Sequence, residues 1–587
     1  MCKTTSLGIA FNSSIAAMAV AMFFTSLVWN VPPGWSDQTP AEQTDPIEFI
    51  NGQVRVVWDE YGIKPSKPAT DGQWCRRVFL DLIGRIPKVA ELNAFRKDRS
   101  ANPRARLVDQ LLYASEYQEE YAQHWTTIWT NWLIGRTGGT EDNSLISRVG
   151  MRSYLYETFK EDKSYDVLVH ELITAEGANT PGRENFNGAT NFLTMKLADK
   201  AAQATADTSR LFLGLQVQCT QCHDHPFNDW KQNQFWEMNA FFRQTAPLRR
   251  FNEDNDITFV ELVNEDFPGE GSTPAEAEIY YERRNGDLEV AYPVFVDGTE
   301  LKNRSGYADD VNRRTELAPL IIDSSYFEKA IVNRMWGYFF GYGFTKPVDD
   351  MRPDNPTSHP AILEQLGKDF RANGFLLKQL YRWITLSEPY GLSSRMEAGN
   401  KQDDPTLGEP PRFSHFYLRQ MRAEQLYASL LAATQADGNS ADYEQQEANR
   451  SAWLAQFNSA FGTDDGGEMT TFNGTISQSL MMMNGRLMKE STSVKPHSLL
   501  GKMAASDLRP SRKIEYLFMA GLSRKPTSKE LRIANRLLES YVSQKITDAA
   551  NRRRPPGDWD ETPDPQTAAL QDIWWALLNS NEFILVH

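Results

Sequence analysis

Apolar side chains recur along this chain with the period of an α-helix, and no other pattern constrains its fold as tightly. Trp125, Ile128, Trp129, Trp132 and Leu133 stand at i, i+3, i+4, i+7 and i+8, which places all five on one helix face. Leu107, Leu111 and Leu112 form a second such face. Ser358-His359-Pro360 offers a cap and a helix-compatible proline, after which Ile362, Leu363, Leu366 and Phe370 share one side. Asn373-Gly374 stops that helix, and Leu376, Leu377, Leu380 and Ile384 begin another. A row of indoles at helical spacing is core packing before it is a cofactor or sugar platform.

The period changes between Phe251 and Gly298. Ile257 to Val263 alternates like a strand, and the runs Ile279-Tyr-Tyr-Glu-Arg and Leu288-Glu-Val-Ala-Tyr flank Asn285-Gly286, a hairpin signal. The expected fold is therefore mainly α, with two helical domains and a small β-hairpin insert or subdomain between them. The first helical domain is read over 46–245, the β insert closing it over 246–300, and the second helical domain over 312–587. A chain of 587 residues has room for two to four domains of roughly 100–200 residues. Two polar stretches, Gln435 to Asn449 and Arg552 to Gln566, read as loops.

No charge interrupts the chain between Lys3 and Asp37. Ile15 to Trp29 has the length of a signal-peptide apolar region, and Leu7 to Val31 is long enough to span a bilayer as an uncleaved anchor. Residues 1–31 are thus expected to be a signal peptide or membrane anchor, and 32–45 a polar, Pro-containing linker. The expected location is outside the cytoplasm: periplasm, cell envelope or extracellular space. The formal net charge of -15 runs against the clustered Lys and Arg that release counterions from phosphate backbones, so nucleic acid is not an expected partner.

Four cysteines are too few for a disulfide-built scaffold of this size, but two of them stand three apart and a histidine follows at once. The segment reads Gln218-Cys219-Thr220-Gln221-Cys222-His223-Asp224-His225-Pro226. Three chemistries use these atoms. In a c-type haem site, two thiols at this spacing add across the porphyrin vinyl groups and the next imidazole reaches the iron. Met195, Met238, His124 and His170 are then candidates for the second axial position. Zinc or iron held by Cys219, Cys222 and His223, with His225 or Asp224 completing the set, is the second chemistry; Asp229 is a further acid nearby. A redox dithiol or a small structural disulfide is the third, and Cys75 could pair with either cysteine. His170-Glu171-Leu-Ile-Thr174 begins like a zinc-protease helix but has Thr where the second His belongs. Asp349-Asp350 with Arg352 and His359 reads as a solvated loop with a helix cap, and Arg313-Arg314 as a surface pair.

Taken in order, the segments of this chain resemble the planctomycete cytochrome-c-like proteins. The first part of the resemblance is Arg77-Val-Phe-Leu-Asp-Leu-Ile-Gly84-Arg-Ile-Pro87, His124-Trp125, Leu213-Gly214 and the Cys219 to Phe227 segment, closed by Pro293-Val-Phe-Val-Asp297-Gly298. The second part is Val332-Asn333-Arg334-Met-Trp336, Asp349-Asp350, Ser358-His359-Pro360, Arg422-Ala-Glu424-Gln425-Leu426 and Leu578-Asn579-Ser580-x-Glu582-Phe583. The resemblance implies two paired domains without an assigned reaction, export, and haem c on Cys219 and Cys222 with His223 as proximal ligand. It also implies, by association, a part in extracellular polysaccharide handling, with a redox partner or a polysaccharide as the molecule met. A non-haem metal-binding hydrolase-like protein and a non-enzymatic envelope or glycan-binding protein are the alternatives.

Overall fold

Capping chemistry sets the first helices. The computed structural model describes residues 45–435, 452, 485–551 and 564–587, apart from 142, 227, 228, 272 and 353. The expected signal or anchor, most of the linker, Cys2, Phe227 and the two polar loops lie outside the described residues, except Gln435 and the last three residues of the second loop. Asp45 accepts from the Ile47 amide and Pro46 occupies the first turn of α1 (Pro46–Glu60). Thr70 and Gln73 form a reciprocal capping box that starts α2 (Asp71–Ile83), and Gly84 ends it in the left-handed region at φ +79°. There follow α3 (Val89–Lys97), α4 (Pro103–Tyr113), α5 (Ser115–Ile134), α6 (Arg148–Lys160), α7 (Tyr165–Thr174), the short α8 (Asn191–Thr194), α9 (Ala198–Phe212) and α10 (Gln232–Asn239). On α5, Trp125, Ile128, Trp129 and Leu133 are buried as the spacing predicts, whereas Trp132 is only half-buried.

The β structure falls where the period changes. Strand β1 (Gly177–Ala178) comes from the helical region and joins β2 (Thr245–Phe251) and β3 (Ile257–Asn264) in an antiparallel sheet of order β1-β3-β2. The expected hairpin is β4 (Ile279–Glu282) with β5 (Leu288–Ala291), in register Tyr280 to Val290, and Gly286 takes φ +90° in its turn.

The chain continues through α11 (Arg313–Asp323), α12 (Ser325–Phe340), α13 (Pro360–Ala372) and α14 (Leu377–Leu386), then β6 (Arg419–Gln420) and α15 (Ala423–Thr434). After 485 come α16 (Arg486–Ser491), α17 (Leu499–Ala505), α18 (Pro510–Leu522), α19 (Ser528–Asn551), α20 (Pro565–Leu578), α21 (Asn581–Ile584) and β7 (Leu585–Val586), which pairs antiparallel with β6. The fold is mainly α with small β elements. Among the described residues no helix is long and apolar enough to cross a membrane.

Aromatic and buried charged side chains tie early elements to late ones. Trp125 of α5 stacks on Tyr381 of α14 at 4.1 Å, and Tyr165 of α7 stacks on Phe327 of α12 at 4.7 Å. Each such pair adds about 0.5–1.5 kcal/mol beyond its buried area. Asp81 of α2 is fully buried, paired with Arg419 and accepting from the Tyr390 hydroxyl at 2.7 Å. Arg76 donates to the Gly521 and Phe583 carbonyls, each at 2.7 Å.

Two sequence readings are corrected here. Arg313 and Arg314 are not a surface pair, for both are buried. Arg313 donates to the carbonyls of Ala240, Ala277, Arg304 and Ser305, and Arg314 to those of Ile173 and Ala175 and to the Asn264 side chain. Carbonyl ends supplied by distant segments replace the water these guanidinium groups leave. The loop at Asp349-Asp350 and His359 is not solvated either, since all three residues are buried. His359 stands at the start of α13 without a capping bond to the helix; its Nδ1 meets the Ser358 hydroxyl at 3.0 Å instead.

Candidate functional site

The Cys219 segment begins where α9 ends. Leu213 closes that helix, and Gly214 turns the chain at φ +65°. A Cβ on Gly214 would meet the Met351 Cγ at 2.7 Å, so a glycine is required both by the turn and by the close approach. The Met351 amide donates to the Gly214 carbonyl at 2.8 Å. Residues Gln218–Gln221 then make one turn of 3-10 helix. Cys219 stands within the turn and Cys222 caps its end. Thr220 is buried, its amide and hydroxyl both donating to the Val217 carbonyl at 2.9 and 2.6 Å. Both cysteines are exposed free thiols, and Cys75 is a free thiol buried in the core of α2, so it pairs with neither. Burial and the Glu91 carboxylate push the Cys75 thiol far up, which leaves it unreactive.

Below the turn lies α10. Its Gln232 and Trp236 side chains donate to the Gln221 carbonyl at 3.3 and 3.1 Å. His223 Nδ1 lies 2.7 Å from the Asp224 carbonyl. A carbonyl can only accept, so Nδ1 donates to it and Nε2 is the ring nitrogen left for a ligand. Asp224 is engaged elsewhere: its carboxylate accepts from the Gln232 amide at 3.0 Å and pairs with Lys231 at 3.5 Å, which together hold it below the usual carboxylate range. His225 is shifted below the ordinary imidazole value, by desolvation first and then by Arg352, with Asp350 and Asp354 opposing. It therefore lies beside the segment that carries Asp350, Arg352 and Asp354. Among the described residues no three His, Cys, Asp or Glu side chains converge as a metal cage.

That segment comes from the far half of the sequence. Asn333 of α12 is fully buried and organises it, donating to the Thr345 hydroxyl and Val348 carbonyl at 2.8 and 2.7 Å and accepting from the Phe344 amide at 2.6 Å. Asp349 is thereby held against α9 and the turn that follows it. It accepts from Arg210 at 3.1 Å and from Gln216 at 2.7 Å. Arg210 also pairs with Asp207, which pairs with the buried Lys196 at 2.9 Å. Asp350 is clamped by Arg352 through two bonds of 2.6 Å each. The Cys219 turn is thus braced by a strip 130 residues away in sequence. Asp349 and Asp350 stand out in the sequence, but Arg210 and Gln216 carry no spacing signal.

The candidate second axial ligands scatter. His124 is buried between α5 and α12, 2.8 Å from the Tyr338 hydroxyl, and is not available. His170 is exposed on α7, with Thr174 donating to its carbonyl. Met195 is 49% exposed, and Met238 is buried on α10, the helix that packs beneath the turn. The two exposed thiols and the His223 contact fit covalent haem attachment: both cysteines are accessible, and the adjacent imidazole uses Nδ1 for a carbonyl and keeps Nε2 for a ligand.

Comparison with known proteins finds two family models. Residues 49–247 match PSCyt2, described as a protein of unknown function (DUF1549), and residues 313–471 match PSD1, a protein of unknown function (DUF1553). The chain carries these two domains in tandem. The first holds the Cys219 turn and the second holds Asn333 and Asp349. No curated protein and no solved structure matches.

Proposed function

We propose that this chain is an exported, cytochrome-c-like redox or electron-transfer protein that binds haem c through the Cys219 turn and acts in extracellular polysaccharide handling. The observation that carries the reading is the pair of exposed, unpaired thiols, one within a 3-10 turn and one capping it, followed by an imidazole whose Nδ1 is tied to a carbonyl. Cys219 and Cys222 would form the thioether bonds and His223 Nε2 would be the proximal ligand. When bound, the haem supplies an iron that cycles between oxidation states. The protein's own residues orient the site. Thr220 seats the turn, Gln232 and Trp236 hold its Gln221 carbonyl, and Asp349 fixes the approach from α9.

A non-haem zinc or iron site is the second reading, supported by the two exposed free thiols with His223, Asp224 and His225 following them in sequence. It requires Asp224 or His225 to turn away from the present partners. The test is a visible spectrum and pyridine haemochrome assay on chain expressed with c-type haem maturation. A c-type α band that is lost in Cys219→Ala/Cys222→Ala is expected. A colourless protein that retains stoichiometric zinc or iron overturns the haem reading in favour of the second.

A further inference from the structure

Arg334 of α12 is 9% exposed, yet among the described residues no carboxylate lies within ion-pair distance of it. Its Nη2 donates to the Arg210 carbonyl at a long 3.3 Å, and its Nε has no partner. The nearest acid, Asp349, is already taken by Arg210 and Gln216. The guanidinium carbon stands 5.7 Å from the ring centroid of Trp132, the one member of the α5 stripe that is not buried. One turn along α12, Tyr338 meets the Trp132 ring edge-on at 6.3 Å, and the Arg422 guanidinium lies 5.2 Å over Tyr338. Arginines therefore stand at both ends of a Trp132–Tyr338 wall. Beside Arg334, Arg210 pairs with Asp207 and Asp349, and Asp207 also pairs with Lys196. This local excess of positive charge sits in a chain of net charge -15.

An unpaired buried guanidinium costs stability, because burial strips its water and nothing replaces it. A weak contact with an indole offsets only part of that cost. An oxyanion would supply the missing acceptors in the geometry a guanidinium fork prefers. We infer that Arg334, beside the half-buried Trp132, is the main contact of a binding site for the oxyanion group of a small ligand (a carboxylate, sulfate or phosphate). Arg210, 30% exposed at its side chain, borders the site and also braces the Cys219 turn. The inference stands whether or not that turn carries haem.

The experiment is calorimetric titration of the full chain with sodium sulfate, sodium phosphate and sodium glucuronate, with glucose as the neutral control. Saturable binding of at least one anion below about 10 mM, and none of glucose, is expected. Arg334→Met is expected to weaken that binding by at least about tenfold while melting no lower than the empty wild type, since it removes an unpaired buried charge. Arg334→Lys keeps the charge but loses the fork, and is expected to weaken binding too; it decides the matter if Arg334→Met does not fold. The three anions distinguish the three oxyanion sources. Absence of anion binding to wild type, or equal binding by the folded variants, overturns the inference.

Discussion

Replacing Asp349 by Ala isolates the brace between the two matched domains. The carboxylate is 7% exposed at its side chain and accepts from Gln216 at 2.7 Å and from Arg210 at 3.1 Å. Hydrogen bonds to a charged group contribute about 1.5–3 kcal/mol each. The lower figure applies to both, because Gln216 is half-exposed and re-solvates, and Arg210 keeps Asp207 at 3.2 Å. The local cost is then about 3 kcal/mol, which is about a hundredfold in an opening equilibrium. Native-state hydrogen exchange reads it at one place, the Met351 amide that donates to Gly214. Its protection is expected to fall about a hundredfold in Asp349→Ala, while amides of α5 keep theirs. Unchanged protection at Met351, or an equal loss throughout the chain, would refute the role given to Asp349.

Other substitutions probe the fold around the site. Asp81→Ala leaves Arg419 buried without its carboxylate and should cost about 3–5 kcal/mol, seen as a lower denaturant midpoint; a loss under about 1 kcal/mol would contradict the pairing. His359 is buried and held neutral, its pKa lowered to about 3 by desolvation and by Arg412. The unfolded chain therefore binds a proton that the native state refuses, so this contribution is complete above about pH 6.5 and is lost as pH falls toward about 3, at up to about 1.4 kcal/mol per unit. His359→Asn should flatten the fall in unfolding midpoint between about pH 7 and about pH 4.5, and parallel profiles would count against it. Asp199 enters α9 in the left-handed region at φ 50°, so Asp199→Gly should raise the melting temperature slightly, by about 1 kcal/mol in stability; a decrease would argue for a different backbone there.

How far the sequence reaches depends on the range of the interaction. Helices with one-sided apolar spacing, such as α4, α5 and α13, are legible because that signal is local. So is the Asn285-Gly286 hairpin. The stripe on α5 is legible as core except at Trp132, which meets Arg334 and Tyr338 from a helix some 200 residues on. The Cys219 turn is legible from its spacing, but its brace is not, because Asp349 and Gln216 lie 133 residues apart. Arg313-Arg314 reads as exposed because charge ordinarily seeks water. Their burial depends on carbonyl groups from elements before and after them, which no local pattern announces. For the same reason Arg334 stands out only once its neighbours are known.

The central claim concerns covalent attachment at Cys219 and Cys222. Its most direct test is the intact mass of the matured chain after acidified-solvent extraction, which removes haem that is not covalently bound. One haem retained in the wild type, and none in Cys219→Ala/Cys222→Ala, is the result predicted. An unmodified mass, with both thiols free to alkylation, would contradict the claim.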